Sequence, residues 1–146
     1  MCLNRRVVDA HGHLIFSCGP GLFAVPADTA SEIVTVPALT RVLGAPAHLL
    51  GVFAHRGELV PLFDLARLTG DAFEGEVKRA VLLRLSKGAV ALTAARVLGI
   101  SPIEGALEQL GETGIERHLR GPARVPQGVV RVIDTQTFVD YLSQAD

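Results

Sequence analysis

Short apolar runs separated by turn-forming residues fill the chain from Leu14 onward. Leu14 to Cys18 and Leu22 to Val25 flank Gly19-Pro20-Gly21, a strong turn signal, and predict a hairpin. Glu32 to Val36 alternates and is β-branched, and Pro37 ends it as a strand. Pro46 to Leu50 reads as one helical turn opened by proline. Leu50 to Ala54 and Glu58 to Phe63 flank His55-Arg56-Gly57, a second hairpin whose glycine supplies the turn conformation. Leu65 to Leu68 reads as a short helix or turn stopped by Gly70. Val77 to Leu85 and Ala89 to Ala94 form a third hairpin around Ser86-Lys87-Gly88, and Val97 to Ile100 is strand-like. Gly111 and Gly114 argue against one regular helix between Ala106 and Leu119. Val129 to Ile133 is a strand, and Gln136 to Leu142 puts Phe138, Tyr141 and Leu142 on one face of a closing helix. Many short strands with little helix predict small barrels or a sandwich.

The pattern comes twice. His48-Leu49-Leu50-Gly51 returns as His118-Leu119-Arg120-Gly121, and Val60 and Asp64 return as Val130 and Asp134, each pair 70 positions apart. Upstream, Gly21, Ala24, Ala27 and Ile33 face Gly88, Ala91, Ala94 and Ile100 at a separation of 67. An insertion between the two blocks reconciles the offsets. Internal repetition fixes architecture, and here it predicts two β subdomains of about 70 residues each. The polar stretch Asp71 to Glu76 is the expected boundary. The expected division is a flexible arm over 1–13, then subdomains over about 14–75 and 76–146, with strand exchange between them allowed. Neither barrel is expected to stand alone, because 70 residues bury little surface.

Composition narrows the function. A net charge of −1 and 5% aromatic residues lack the basic excess and stacking rings of nucleic-acid binders. No apolar run reaches the ~20 residues of a membrane span, and no secretory signal precedes Leu14, so a cytoplasmic location without membrane insertion is the default expectation. Cys2 and Cys18 are expected to stay reduced. His11 and His13 resemble half a metal site, but nothing in sequence completes it, so neither metal nor cofactor is expected. No nucleophile elbow, phosphate loop or dinucleotide motif is present. Asp64 and Asp134 precede short helices and read as N-caps. Arg56, at a hairpin tip, has two readings of equal weight. It is solvated, or its fork binds backbone carbonyls or an acid of the first barrel, with Glu32 the named candidate.

These stretches resemble the CheW family, the adaptors of bacterial chemosensory arrays. The most specific block is Gly51 to Leu65, GVFAHRGELVPLFDL, followed by the Glu32-Ile33 pair after a hairpin; Val81 to Ile100 and Val129 to Leu142 also match. The resemblance implies two SH3-like, five-stranded β-barrels packed around a shared hydrophobic core, an all-β fold with short helices including a C-terminal one. It implies a scaffold without catalysis that joins the cytoplasmic tip of a chemoreceptor to a CheA-type histidine kinase. The receptor's helical tip would lie in an apolar groove between the barrels, and the kinase's regulatory domain would pack on the first barrel. By the same resemblance Glu32, Ile33, Gly51, Arg56, Gly57, Val25 and Leu92 are expected to serve partner binding.

Two departures from the family pattern matter, one in each half. Ala54 stands where the family usually has Asn, and Ala94-Ala95 where it usually has Val-Asp. The alternatives are a divergent member that binds receptor or another partner without recruiting kinase, and, from a different class, a small barrel binding a ligand or nucleic acid.

Overall fold

The structure is a computed structural model describing residues 12–70, 78–85, 88–103 and 107–144. Ten strands, two short α-helices and one 3-10 helix follow in order: β1 (Gly12–Cys18), β2 (Gly21–Pro26), β3 (Ala30–Thr35), β4 (Leu49–His55), β5 (Glu58–Phe63), α1 (Leu65–Leu68), β6 (Arg79–Leu85), β7 (Gly88–Ala94), β8 (Arg96–Pro102), the 3-10 helix (Gly114–His118), β9 (Leu119–Val125), β10 (Gly128–Ile133) and α2 (Thr135–Gln144).

The duplication holds element by element. β4, β5 and the start of α1 recur as β9, β10 and the start of α2 at the offset of 70. The starts of β1 and β2 recur as β6 and β7 at the offset of 67. The strands then pair across the halves. One sheet runs β8-β1-β2-β10-β9 and the other β3-β6-β7-β5-β4. Each sheet therefore takes strands from both halves of the sequence. The join is parallel in both, with Val132 opposite Ala24 in one and Leu62 opposite Ala91 in the other. These two pairs are equivalent under the repeat, so the exchange preserves an approximate internal two-fold.

Alternation explains how the sheets bury both faces. Leu14, Phe16, Phe23 and Val25 point from the first sheet into a common core, where they meet Val81, Leu83, Leu92 and Phe63 of the second. The alternate residues Ile15, Ala24, Val130 and Val132 pack with Ala123 and Val125 inside the first sheet. Phe53, Val60, Leu62, Leu82 and Ala91 do the same inside the second. A five-stranded sheet covers its second face by curling over itself, which gives two barrels around one shared core. Phe138 and Leu142 of α2 close that core, with α1 contributing Leu65 and Ala66. Burying each large side chain here contributes about 1.5–3 kcal/mol.

Several expectations need correction. His13 does not lie on a loose arm: it belongs to β1, opposite Pro26, and is buried. Residues 46–48 form a turn, closed by Leu49 N–H donating to the Pro46 carbonyl, and the chain enters β4 instead of a helix. β9 is a strand that the local pattern does not announce, because Gly121 and Pro122 interrupt it; as a sheet-edge strand it tolerates proline. His11, Cys2, the 71–76 boundary and the Ser86-Lys87 turn lie outside the described residues.

Candidate functional site

The β4–β5 hairpin turns on two residues, with His55 opposite Glu58. Arg56 (φ 51) and Gly57 (φ 82) both adopt positive φ, as a type I′ turn requires. Glycine does so freely; for arginine it is a strained conformation. A bulge in β3 puts Ala30 opposite Leu83 and Glu32 opposite Leu82. Bulges re-aim side chains, and here Glu32 meets the hairpin tip. Its Oε2 lies 3.1 Å from His55 Nε2 and 3.2 Å from Arg56 Nη1. The hydrogen bond with His55 and the Arg56 charge hold the Glu32 carboxyl below its ordinary range, against the opposing effect of desolvation. Beside it, Arg84 Nη2 contacts Glu58 Oε1 at 2.7 Å, which lowers the Glu58 carboxyl and raises Arg84.

Arg56 thus satisfies both readings in part. It reaches Glu32, as named, but by one nitrogen and not a fork, and its side chain is 75% exposed. An exposed pair of this kind contributes little to folding. The guanidinium remains largely available at the surface.

The equivalent tip in the other sheet is tied without charge. Gln127 donates from Nε2 to the Leu98 carbonyl at 3.0 Å and accepts from Ser101 Oγ at 3.0 Å. Gly99 occupies the place of Glu32 there, 67 positions on. The two hairpin tips present different chemistry on one framework.

Between the barrels lies an apolar depression of about 100 Å³. Leu14 and Ile100 line it from the first sheet, Ala30 and Ile33 from the second, and Glu32 stands on its rim. Ile33 and Ile100 are repeat equivalents, 45% and 64% exposed. Equivalent residues facing one hollow place it on the internal two-fold.

Gly51 is a buried position with φ +153, where a Cβ would lie 2.8 Å from the Thr40 carbonyl oxygen. Thr40 in turn bridges Val52. Gly51 therefore holds the 36–48 loop against β4 and lies apart from the charged tip. Gly57 has open space around it among the described residues, and its positive φ serves the turn. Val25 and Leu92 do not belong on a docking surface. Both have no solvent exposure and sit in the shared core, so their role is packing.

Asp64 caps α1: Ala66 N–H donates to its Oδ1 at 3.1 Å. Asp134 departs from this. Its carboxylate accepts from Arg120 Nη2 at 3.2 Å, while Arg120 Nη1 donates to the Leu107 carbonyl at 3.3 Å. Arg120 replaces the repeat's Leu50 and fastens the loop before β9, beside a polar cleft of about 680 Å³. Two other residues escaped the sequence reading. His55 was legible only as the neighbour of Arg56, and Arg84 carried no signal without the pairing of β6 with β3.

Among the described residues no group of three His, Cys, Asp or Glu is placed to hold a metal ion, and no helix is long and apolar enough to cross a membrane. The sequence matches the model of the CheW-like domain over residues 12–142. The fold is similar to the crystal structure of the scaffolding protein TtCheW from Thermoanaerobacter tengcongensis, with a TM-score of 0.73 at 19% identity over 85% of this chain and 84% of that one. No curated protein matches the chain.

Proposed function

Since the chain belongs to the CheW-like family, we propose that it is a non-catalytic, cytoplasmic adaptor coupling a chemoreceptor's cytoplasmic tip to a CheA-type histidine kinase. The observation that carries this reading is the apolar hollow between the barrels, with exposed Ile33 and Ile100 opposed across it. Exposed aliphatic side chains flanking a groove are what an amphipathic helix needs for its apolar face. The charged tip beside it, Glu32 with His55 and Arg56, supplies the polar rim that sets orientation more than affinity. The kinase's regulatory domain is assigned to the first-half hairpin, where Leu59 is the exposed apolar residue on β5.

Titration calorimetry against a receptor cytoplasmic fragment and, separately, a CheA-type regulatory domain tests this. Ile100→Asp is expected to weaken receptor binding at least about tenfold, from the loss of one buried aliphatic contact. Leu59→Asp is expected to weaken kinase binding alone. Arg56→Lys should resemble Arg56→Ala if the planar group orients a partner. Equal affinities across all four variants and wild type sink the assignment. Receptor binding without kinase binding identifies an adaptor with a reduced partner set.

A further inference from the structure

The hollow between the barrels lies where the chain enters the fold. The Ala27 amide donates to the Gly12 carbonyl at 2.9 Å, and Ala27 and Leu14 both line the hollow. Gly12, the first residue of β1, is therefore at its edge, and residues 1–11 are joined to the fold there. That segment reads MCLNRRVVDAH and lies outside the described residues. Its sequence holds two features that match the hollow: the β-branched pair Val7-Val8 and, directly before it, Arg5-Arg6.

The hollow suits both. Its volume of about 100 Å³ fits one branched aliphatic side chain, and Leu14, Ala30, Ile33 and Ile100 form its walls. On its rim stands the acid Glu32. The Oε2 of Glu32 already meets His55 and Arg56, but a carboxylate has about four lone-pair sites, which leaves room for a further cation. Reach is sufficient. Glu32 is five residues on from Ala27, which bounds their separation at about 18 Å, whereas the six steps from Gly12 back to Arg6 span up to about 22 Å. In an extended chain Arg6 and Val8 point to the same side. β3 and β8, which carry Ile33 and Ile100, each end their sheet among the described residues, so each has one side open to an extended segment.

We propose that the segment before β1 folds back over the Leu14–Ile33–Ile100 hollow of its own chain, with Val8 seated in the hollow and Arg6 against Glu32. The contact is intramolecular, so a short tether sets its strength and protein concentration does not. Its consequence rests on the adaptor reading: the hollow is the groove assigned above to a receptor helix, so segment and helix compete. The receptor's apparent affinity is then lowered in proportion to the fraction of molecules whose hollow is open. Docking of the segment itself does not depend on that reading, because the chain alone displays it.

Methyl NMR of the isoleucines decides the docking. Deleting residues 2–8 is expected to shift the Ile33 and Ile100 signals and to leave that of Ile133, buried in the shared core, in place. Val8→Ser and Arg6→Glu are each expected to move the same two signals toward their positions in the shortened chain. The wild-type positions are expected to hold through an about tenfold dilution, as an intramolecular contact requires. Ile33 and Ile100 signals that ignore the deletion overturn the proposal. So do signals that move with dilution, which mark a contact between copies, and a deletion effect that neither point variant reproduces. Thermal unfolding of each variant checks the fold; if the shortened chain unfolds, the two point variants decide. Titration calorimetry with a receptor cytoplasmic fragment then tests the competition. The deletion is expected to tighten binding about three- to tenfold, and equal affinities overturn the competition. A fragment that binds neither form counts against the adaptor reading and leaves the docking result untouched.

Discussion

Gly51 and Gly57 share a residue type and part company in physical cause. At Gly57 the backbone decides: φ is +82, and among the described residues nothing beyond its chain neighbours lies within 4 Å of a would-be Cβ. Gly57→Ala is expected to cost about 1 kcal/mol in a urea titration, the penalty for a side chain in the left-handed region. At Gly51 the backbone conformation is joined by a steric bar, since the Thr40 carbonyl oxygen would be 2.8 Å from the new carbon. Backbone cannot swing aside as a flexible side chain does, so Gly51→Ala is expected to cost about 2 kcal/mol or more and to loosen the 36–48 loop. Equal costs at the two positions would show that the Thr40 contact does not constrain β4. Arg56, strained in backbone and mostly exposed in side chain, behaves differently again. Its replacement by Ala should change folding stability by no more than about 0.5 kcal/mol, leaving its effect to appear in partner binding.

The turns into α1 and α2 repeat one arrangement, and with it one pH response. The Asp64 amide donates to the His48 carbonyl, and the Asp134 amide to the His118 carbonyl. The His48 ring stacks on Phe63 at 5.9 Å, and His118 lies 4.8 Å from Tyr141. Burial lowers the pKa of His48 from 6.5, and its Nε2 has no hydrogen-bond partner among the described residues. Burial, aided by Arg117 and opposed by Asp134, lowers that of His118. In both, the folded state favours the neutral ring, so below about pH 6.5 the unfolded chain binds more protons. Their contribution is present above that pH and fades as pH falls toward the depressed folded values. Urea midpoints are therefore expected to drop between pH 7.5 and 5.5, and to drop less in a His48→Phe, His118→Phe double variant. An undiminished drop would assign the effect elsewhere. At this scale the sequence was legible wherever structure is local. Gly19-Pro20 and Arg56-Gly57 mark hairpins because turn geometry constrains residue type, and the 67 and 70 offsets locate equivalent strands. The Arg56–Glu32 contact could be anticipated because each residue is charged beside apolar neighbours. β9 was hidden by Gly121-Pro122, and the misplacement of Val25 and Leu92 has a plain cause. A strand buried on both faces shows no alternation to tell groove from core.

The pairing of strands across halves governs the molecule as a whole. Sequence could mark the repeat, but the choice between two self-contained barrels and two exchanged ones rests on parallel pairs more than 25 residues apart, which no local pattern encodes. Neither half can complete a sheet, since β1 and β2 need β8 to β10, and β3 to β5 need β6 and β7. Fragments 1–74 and 75–146 are each expected to lack a cooperative unfolding transition, and to regain the native circular-dichroism spectrum when mixed. A half that unfolds cooperatively alone would break this account. Synthesis meets the same constraint in time. Phe23 pairs with Arg131, so a ribosome working at about 5–20 residues per second must run roughly 5–20 s beyond β2 before its neighbour β10 exists. Until β7 completes the second sheet at Ala94, the aliphatic and aromatic core face of the first hairpin has no sheet to pack on, and the β2 edge stays open until β10 arrives. Long-range pairing of this kind folds slowly and leaves strand edges open. The nascent chain is thus a client for chaperones in proportion to translation time, and slowing translation between β2 and β10 lengthens its exposure to aggregation.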